Sequence, residues 1–121
     1  DRPEHFTVLS GDDPTTFPFL GIGGEGVISV IANVFPHEFA QMVHHAMAGN
    51  RAEAKLFNDL LLNIHPWLYR DGNPSGVKAA LNMLGFCENE LRLPLVPCTS
   101  STFEGLKYEV EKLMLNKAMK A

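Results

Sequence analysis

Residues 21–30 read Gly-Ile-Gly-Gly-Glu-Gly-Val-Ile-Ser-Val and contain four of the ten glycines of the chain. Three of these glycines have the G-x-G-x-x-G spacing of a dinucleotide-binding turn, in which a strand precedes the glycines and a helix N-terminus follows them. Here the order is reversed, because a helix predicted over residues 14–20 comes first and a strand over residues 27–31 comes after. The nearby helix end carries carbonyl groups, which repel phosphate. We therefore predict a structural turn in which Gly21 or Gly23 takes a left-handed cap conformation.

The sequence before this stretch predicts a second strand and the start of the helix. Residues 6–10 are apolar and β-branched and are followed by a glycine and two aspartates, as is typical of a buried strand that leads into a loop. Asp13 stands before Pro14, and an Asp side chain can accept hydrogen bonds from the first free N–H groups of a helix that begins with Pro. Because residues 27–31 are continuously apolar, we expect that strand to be buried on both faces.

The sequence after this stretch is predicted to be helical. Apolar residues at three- and four-residue steps predict helices over residues 36–49, 51–69 and 76–84, and a last helix from about residue 101. We expect Pro66 to kink the second of these helices and Ser75 to cap the third. Ser101 and Glu104 have the spacing of a capping box at the last helix. Residues 91–97 contain too much proline for a central strand, which favours an extended crossing segment.

The two predicted strands do not complete a sheet. Parallel strands joined through a helix normally belong to larger sheets that are enclosed on both faces. We therefore expect further strands from sequence outside these 121 residues or from a partner chain. On this interpretation the chain is the C-terminal part of a larger protein.

The composition argues against a nucleic-acid-binding or membrane protein. Ten Lys and Arg residues against fourteen Asp and Glu residues give a net charge of -4, which opposes sequence-independent binding to nucleic acid. No apolar stretch approaches the roughly 20 residues that span a bilayer, and no signal-peptide pattern opens the chain. We therefore expect a cytoplasmic protein that contacts neither nucleic acid nor membrane. Cys87 and Cys98 lack the spacing of a disulfide framework or a zinc site, so we interpret them as reduced thiols and expect no metal.

Candidate functional residues follow the two predicted strands. In parallel β/α architectures the chemistry takes place at the carboxyl ends of strands, which here are residues 10–13 and 29–33. Asp12 and Asp13 could together bind a cation or a polar substrate. The alternative is that Asp13 only caps its helix and Asp12 fixes the loop.

The remaining histidine, lysine and tryptophan candidates are interpreted as surface or packing residues. His37, His44 and His45 do not have the HExxH spacing of a zinc site, so we interpret them as surface histidines. Lys78 could be an activated amine, although a lysine in a helix is usually a solvated charge. Trp67 is expected to seal a helix interface rather than to stack on a ligand.

Four motifs, in this order and spacing, resemble the C-terminal portion of the dihydrodipicolinate synthase family. This family belongs to the pyruvate-dependent class I aldolases, which include N-acetylneuraminate lyase. The motifs are Leu-Ser-Gly-Asp-Asp (9–13), Gly-Gly-Glu-Gly-Val-Ile-Ser-Val-Ile-Ala-Asn-Val (23–34), Asn-Pro-Ser-Gly-Val-Lys (73–78) and Leu-Arg-Leu-Pro-Leu-Val-Pro (91–97). The resemblance covers nearly the whole chain. It departs at Ser75-Gly76, where many family members have Ile-Pro.

The resemblance implies an α/β fold, the C-terminal part of a (β/α)₈ TIM barrel followed by a three-helix C-terminal domain. Residues 1–50 would form the last two βα units, and residues 51–121 the helical domain. A complete barrel needs about 250 residues, so the first six strands would lie outside this chain.

The resemblance also implies a function. The family condenses pyruvate with L-aspartate 4-semialdehyde, at the entry to the lysine branch of diaminopimelate synthesis, through a Schiff base on a lysine amine and without a cofactor. The Schiff-base lysine and the proton-relay tyrosine would both precede Asp1. The 121-residue chain would then hold no catalytic residue and be inactive alone, and the parent enzyme would be a homotetramer.

Three substrate-binding residues can be carried over from the family. Ile28 matches the position whose backbone carbonyl faces the Schiff-base lysine and pyruvate. Gly11 matches a residue whose missing side chain leaves room for substrate, and Asp12 matches a polar group near the aldehyde substrate. Two alternatives stay open: another pyruvate aldolase such as N-acetylneuraminate lyase, and a non-catalytic half-barrel that serves as a structural or interaction module.

Overall fold

The computed structural model describes residues 2–120, with side chains through residue 116. It divides into two compact units, Asp1–Asp59 and Leu60–Ala121. The helices are α1 (Asp13–Gly21), α2 (Pro36–Met47), α3 (Arg51–Leu61), α4 (His65–Tyr69), α5 (Ser75–Met83) and α6 (Ser100–Lys120), with a 3₁₀ turn over Ile31–Asn33. Among the described residues, no helix combines the length and the apolar character needed to cross a membrane. The domain boundary after residue 50 stays a prediction.

The two predicted strands of the first unit are reduced to a single bridge. Ser10 pairs with Val27 in parallel. The Ser10 amide donates to the Gly26 carbonyl at 2.9 Å, and the Ile28 amide donates to the Ser10 carbonyl at 2.9 Å. Neither segment forms a strand within residues 2–120, because a strand pair without further neighbours is only marginally stable. The expected burial of the second segment is also wrong, since the side chain of Ile28 is 72% exposed.

The N-cap of α1 is not the predicted residue, Asp13. The N-cap is Asp12, whose side chain accepts a hydrogen bond from the Thr15 amide, and Asp13 is the first residue of the helix. At the other end of α1, Gly23 has a φ of 99°, and its amide donates to the Leu20 carbonyl at 3.2 Å. This left-handed residue confirms the structural turn predicted for the glycine stretch.

The core of the first unit lies where the 3₁₀ turn and α2 meet. Ile31 and Phe35 are fully buried, and Phe39 and Met42 on α2 are nearly so. Pro36 stands at the first turn of α2, where a missing N–H breaks no helical hydrogen bond. The buried side chains of Ile31 and Phe35 therefore hold the segment directly after residues 28–30 in place.

The helix predicted over residues 51–69 is two helices. α3 ends at Leu61, and α4 begins at His65, with Pro66 in its first turn. A proline inside a helix cannot donate to the carbonyl four residues earlier and collides with it, so the helix ends rather than kinks. The three helices predicted after residue 51 are therefore four in the described part of the chain.

In the second unit, α4 packs closely against α5 and α6. A side chain at Gly76 would collide with the Leu68 carbonyl, and one at Gly105 would collide with the Trp67 ring. The guanidinium of Arg70 lies 5.0 Å from the centre of the same ring. The placement of Trp67 against α6 confirms that it seals a helix interface.

Two helix starts in the second unit differ from prediction. Ser75 does not cap α5, because its hydroxyl donates to the Val96 carbonyl at 2.7 Å. α6 begins at Ser100, and its first free amides are met by Thr99, not Ser101: the Thr102 amide donates to the Thr99 hydroxyl at 3.4 Å. Residues 91–97 contain no strand, as predicted.

Candidate functional site

The candidate site lies in the first unit, where the loop before α1 runs beside residues 28–33. The Ser10–Val27 bridge places these two segments side by side. Gly11, Asp12 and Ile28, the three residues expected to bind substrate, therefore belong to one region of the unit.

A network of hydroxyl groups shapes the loop. The Ser10 hydroxyl is buried and donates to the Asp12 carbonyl at 3.0 Å. The Thr16 hydroxyl, which is fully buried, lies 3.0 Å from the Ser10 Oγ and 2.8 Å from the Asp12 carbonyl oxygen. These contacts hold the backbone of Gly11 and Asp12 from inside the unit.

Gly11 and Asp12 form the exposed surface of the loop. A side chain at Gly11 would meet nothing within 4 Å, so the space beside its α carbon is open. The Asp12 carboxylate accepts hydrogen bonds from the Thr15 amide at 3.2 Å and the Thr15 hydroxyl at 2.6 Å. Asp12 is thus held by the helix it caps while its side chain remains at the surface.

Asp13 points in the opposite direction and is only 2% exposed. Its Oδ2 accepts hydrogen bonds from the Val30 amide at 3.0 Å and the Ile31 amide at 2.7 Å. The two aspartates therefore do not form a joint carboxylate site, and the expectation that Asp13 caps α1 is wrong. Sequence reasoning missed this role because Asp13 acts on residues 17 and 18 positions away, for which no local pattern exists.

Ile28 presents its backbone at this site. Its amide is held by the Ser10 carbonyl, and its carbonyl accepts no hydrogen bond from the described residues. One residue further, the Ser29 hydroxyl accepts from the Ala32 amide at 3.0 Å. A carbonyl oxygen without a donor can accept a hydrogen bond from a bound ligand or side chain.

The remaining candidate residues lie away from this loop in sequence and do not form a metal centre. Within residues 2–120, no three His, Cys, Asp or Glu side chains lie close enough to hold a metal ion. His37 and His44 are exposed, as predicted, whereas His45 is half-buried and stacks on Phe57 with ring centres 6.0 Å apart. Lys78 is partly exposed and lines a surface pocket with Glu88, Glu90 and Arg92.

Two titratable groups of the second unit have shifted pKa values. Hydrogen bonds from the backbone and the hydroxyl of Thr99 lower the pKa of the Asp71 carboxyl. Burial, followed by the nearby negative charge of Asp71, raises the pKa of the Cys98 thiol. Cys87 and Cys98 are not bonded to each other, and their reduced state stays a prediction.

Comparison with known proteins identifies the class. The sequence model of the dihydrodipicolinate synthetase family matches residues 2–113. The chain belongs to this family.

Individual relatives have more specific names. The 4-hydroxy-tetrahydrodipicolinate synthase of Parabacteroides distasonis is 45% identical over 115 residues, which are 95% of this chain and 39% of that protein. The solved structure of the same enzyme from Methylacidiphilum fumariolicum SolV is 37% identical with a TM-score of 0.91, over 98% of this chain and 39% of that one. The Acinetobacter baumannii dihydrodipicolinate synthase, described as complexed with pyruvate, is 33% identical with a TM-score of 0.86, over 89% of this chain and 37% of that one. The chain thus spans about two fifths of the length of these relatives, with 39% for the first.

Proposed function

We propose that this chain is the C-terminal part of a 4-hydroxy-tetrahydrodipicolinate synthase, a lyase that condenses pyruvate with L-aspartate 4-semialdehyde. The observation that carries the proposal is the 45% identity over 95% of the chain to a relative of that name. Its residues 1–50 would supply the last two βα units of a TIM barrel, and the residues from 51 onward the appended helical domain. The enzyme would be a cytoplasmic homotetramer that needs no cofactor.

The proposed reaction runs through a covalent intermediate. A lysine amine adds to the pyruvate ketone and water leaves, which forms an iminium. Loss of a proton from the pyruvate methyl group gives an enamine, whose carbon forms a bond to the aldehyde carbon of the second substrate while the aldehyde oxygen takes a proton and the iminium forms again. The amino group of that substrate then adds to the iminium carbon and displaces the lysine amine. The lysine and the proton-relay tyrosine would come from the part of the relatives' length that this chain does not span.

This chain would supply one wall of the active site. The Ile28 carbonyl, which has no donor among the described residues, would accept a hydrogen bond from the lysine amine and direct it toward pyruvate. The open space at Gly11 would admit the substrate, and Asp12 would lie near the aldehyde substrate. These roles rest on backbone direction and open space more than on side-chain chemistry.

A chimera tests the proposal. This chain replaces the matching segment of the Parabacteroides distasonis synthase, and product formation is measured with pyruvate and L-aspartate 4-semialdehyde. We expect a folded chimera with a kcat within about tenfold of the intact relative, since the chain supplies a complete matching part of the enzyme. The relative without the replaced segment is the negative control.

Two results would contradict the proposal. A folded chimera that cleaves N-acetylneuraminate and makes no synthase product would assign the chain to another pyruvate aldolase. A folded chimera without any aldolase activity would leave a structural or interaction module as the better description.

A further inference from the structure

The carboxylate of Asp13 is buried at the start of α1, where it binds the backbone amides of Val30 and Ile31. We propose that Asp13 is a positioning residue that fixes the direction of the Ile28 carbonyl. This inference rests on the proposed function, because the carbonyl has catalytic meaning only if it faces the Schiff-base lysine.

The contacts of Asp13 are those of a structural anion. A single oxygen, Oδ2, accepts from the amides of Val30 and Ile31 at 3.0 and 2.7 Å. These amides stand at the start of the 3₁₀ turn Ile31–Asn33, where a turn leaves N–H groups without an internal partner. A carboxylate bound to two amides inside a protein makes charge-assisted bonds, which are stronger than neutral ones.

The Ile28 carbonyl lies between two anchors. Before it, the Ile28 amide donates to the Ser10 carbonyl at 2.9 Å. After it, the Val30 amide is bound by Asp13, and Val30 itself has helical backbone angles, φ -86° and ψ -50°. The two anchors hold the peptide groups on either side of the Ile28 carbonyl, so movement of the flanking chain cannot turn this carbonyl and only a concerted rotation of its own peptide group remains.

Both anchors belong to the same loop. Ser10 and Asp13 flank Gly11 and Asp12, the other two residues proposed to contact substrate. The loop thus carries its own substrate contacts and also sets the orientation of the neighbouring carbonyl. Loss of the hydrogen bond at Ser10 or at Asp13 is expected to move the Ile28 carbonyl away from the lysine amine. A displacement of about 1 Å can lower the rate up to about a hundredfold.

The test compares Asp13→Asn with Glu38→Gln in the active chimera. Both changes neutralise a buried carboxylate of the first unit, since Glu38 is 4% exposed. Glu38 has no proposed part in the site. We measure the melting temperature, kcat, the KM for each substrate, and the rate at which borohydride traps the pyruvate adduct.

We expect Asp13→Asn to lower kcat and the trapping rate together by about tenfold, with the KM for the aldehyde within about twofold of the original. Glu38→Gln should lower the melting temperature while both rates stay within about twofold. Equal rate losses in the two variants, or an unchanged trapping rate in Asp13→Asn, would overturn the positioning role.

A second variant covers the case in which Asp13→Asn does not fold. Asn33 is exposed, and its side-chain amide donates to the Val30 carbonyl at 2.9 Å, so Asn33→Ala loosens the same turn from its outer side. A trapping rate lowered by about threefold would support the proposal, and an unchanged rate would overturn it. An inactive chimera before any substitution overturns the proposed function and this role with it, whereas an active chimera with unaffected variants overturns this role alone.

Discussion

Individual residues in this chain take opposite roles at adjacent positions. Asp12 and Asp13 are alike in sequence, yet Asp12 caps α1 at the surface and Asp13 is buried against the amides of Val30 and Ile31. The sequence predicted Asp13 as the cap, because it stands directly before Pro14 and an Asp side chain can reach a free amide at a helix start. The choice between them depends on where residues 30 and 31 lie, which is a tertiary contact.

Asp71 gives a pH-dependent prediction at the residue scale. Its carboxylate accepts from the Thr99 amide at 2.7 Å and the Thr99 hydroxyl at 2.8 Å, and these bonds lower its pKa. A lowered pKa in the folded state means that the stabilisation is complete above the unfolded pKa of about 3.9. It is lost as the pH falls through the folded pKa.

We therefore expect Asp71→Asn to lower the melting temperature of the chimera at neutral pH by a few degrees. The difference from the original protein should shrink as the pH falls below about 4. Glu88→Gln, at an exposed carboxylate of the same unit, is the control and should cause little change at either pH. A loss for Asp71→Asn that is the same at both pH values would contradict the charge-dependent contact.

Among the helices, the starts of α5 and α6 were predicted better than their caps. α5 and α6 begin within one residue of the predicted positions, at Ser75 and Ser100. Their caps were misassigned because Ser75 bonds the Val96 carbonyl and Thr99 replaces Ser101. A serine beside a helix start can meet its own helix or a neighbouring segment, and only packing decides which.

This difference predicts the effect of two serine substitutions. Ser75→Ala removes a partly buried hydrogen bond to the segment 91–97 and should lower the free energy of unfolding by about 1 kcal/mol. Ser101→Ala, at an exposed position, should change it by less than about 0.5 kcal/mol. Urea unfolding of the chimera measures both values. A larger loss for Ser101→Ala than for Ser75→Ala would contradict this prediction and would indicate that Ser101 caps α6.

For the whole molecule, the main difference from prediction concerns the sheet. Sequence patterns indicated two buried parallel strands, and the described residues contain one parallel bridge, between Ser10 and Val27. Strand formation depends on neighbours along both edges, which a local pattern does not reveal. The family assignment nevertheless followed from four motifs, because their order and spacing are specific to one family, and the family model matches residues 2–113.

The proposed division of labour predicts where pyruvate can be trapped. With pyruvate and borohydride, the chimera should gain a stable adduct on one lysine. The isolated 121-residue chain should gain none, because it is proposed to supply a carbonyl and open space but not the nucleophile. Mass spectrometry of both proteins measures the adduct. An adduct on the isolated chain would contradict the absence of the Schiff-base lysine.

The family, the helical content after residue 35 and the structural turn at Gly23 could be predicted from the sequence. These features depend on local spacing, backbone angles and motif order, all of which the sequence contains. Packing determined that the predicted helix breaks before Pro66, that Ser75 binds the Val96 carbonyl, and that Asp13 holds the backbone after Ile28. Each of these outcomes depends on which distant or competing groups the packing brings within hydrogen-bond or van der Waals distance.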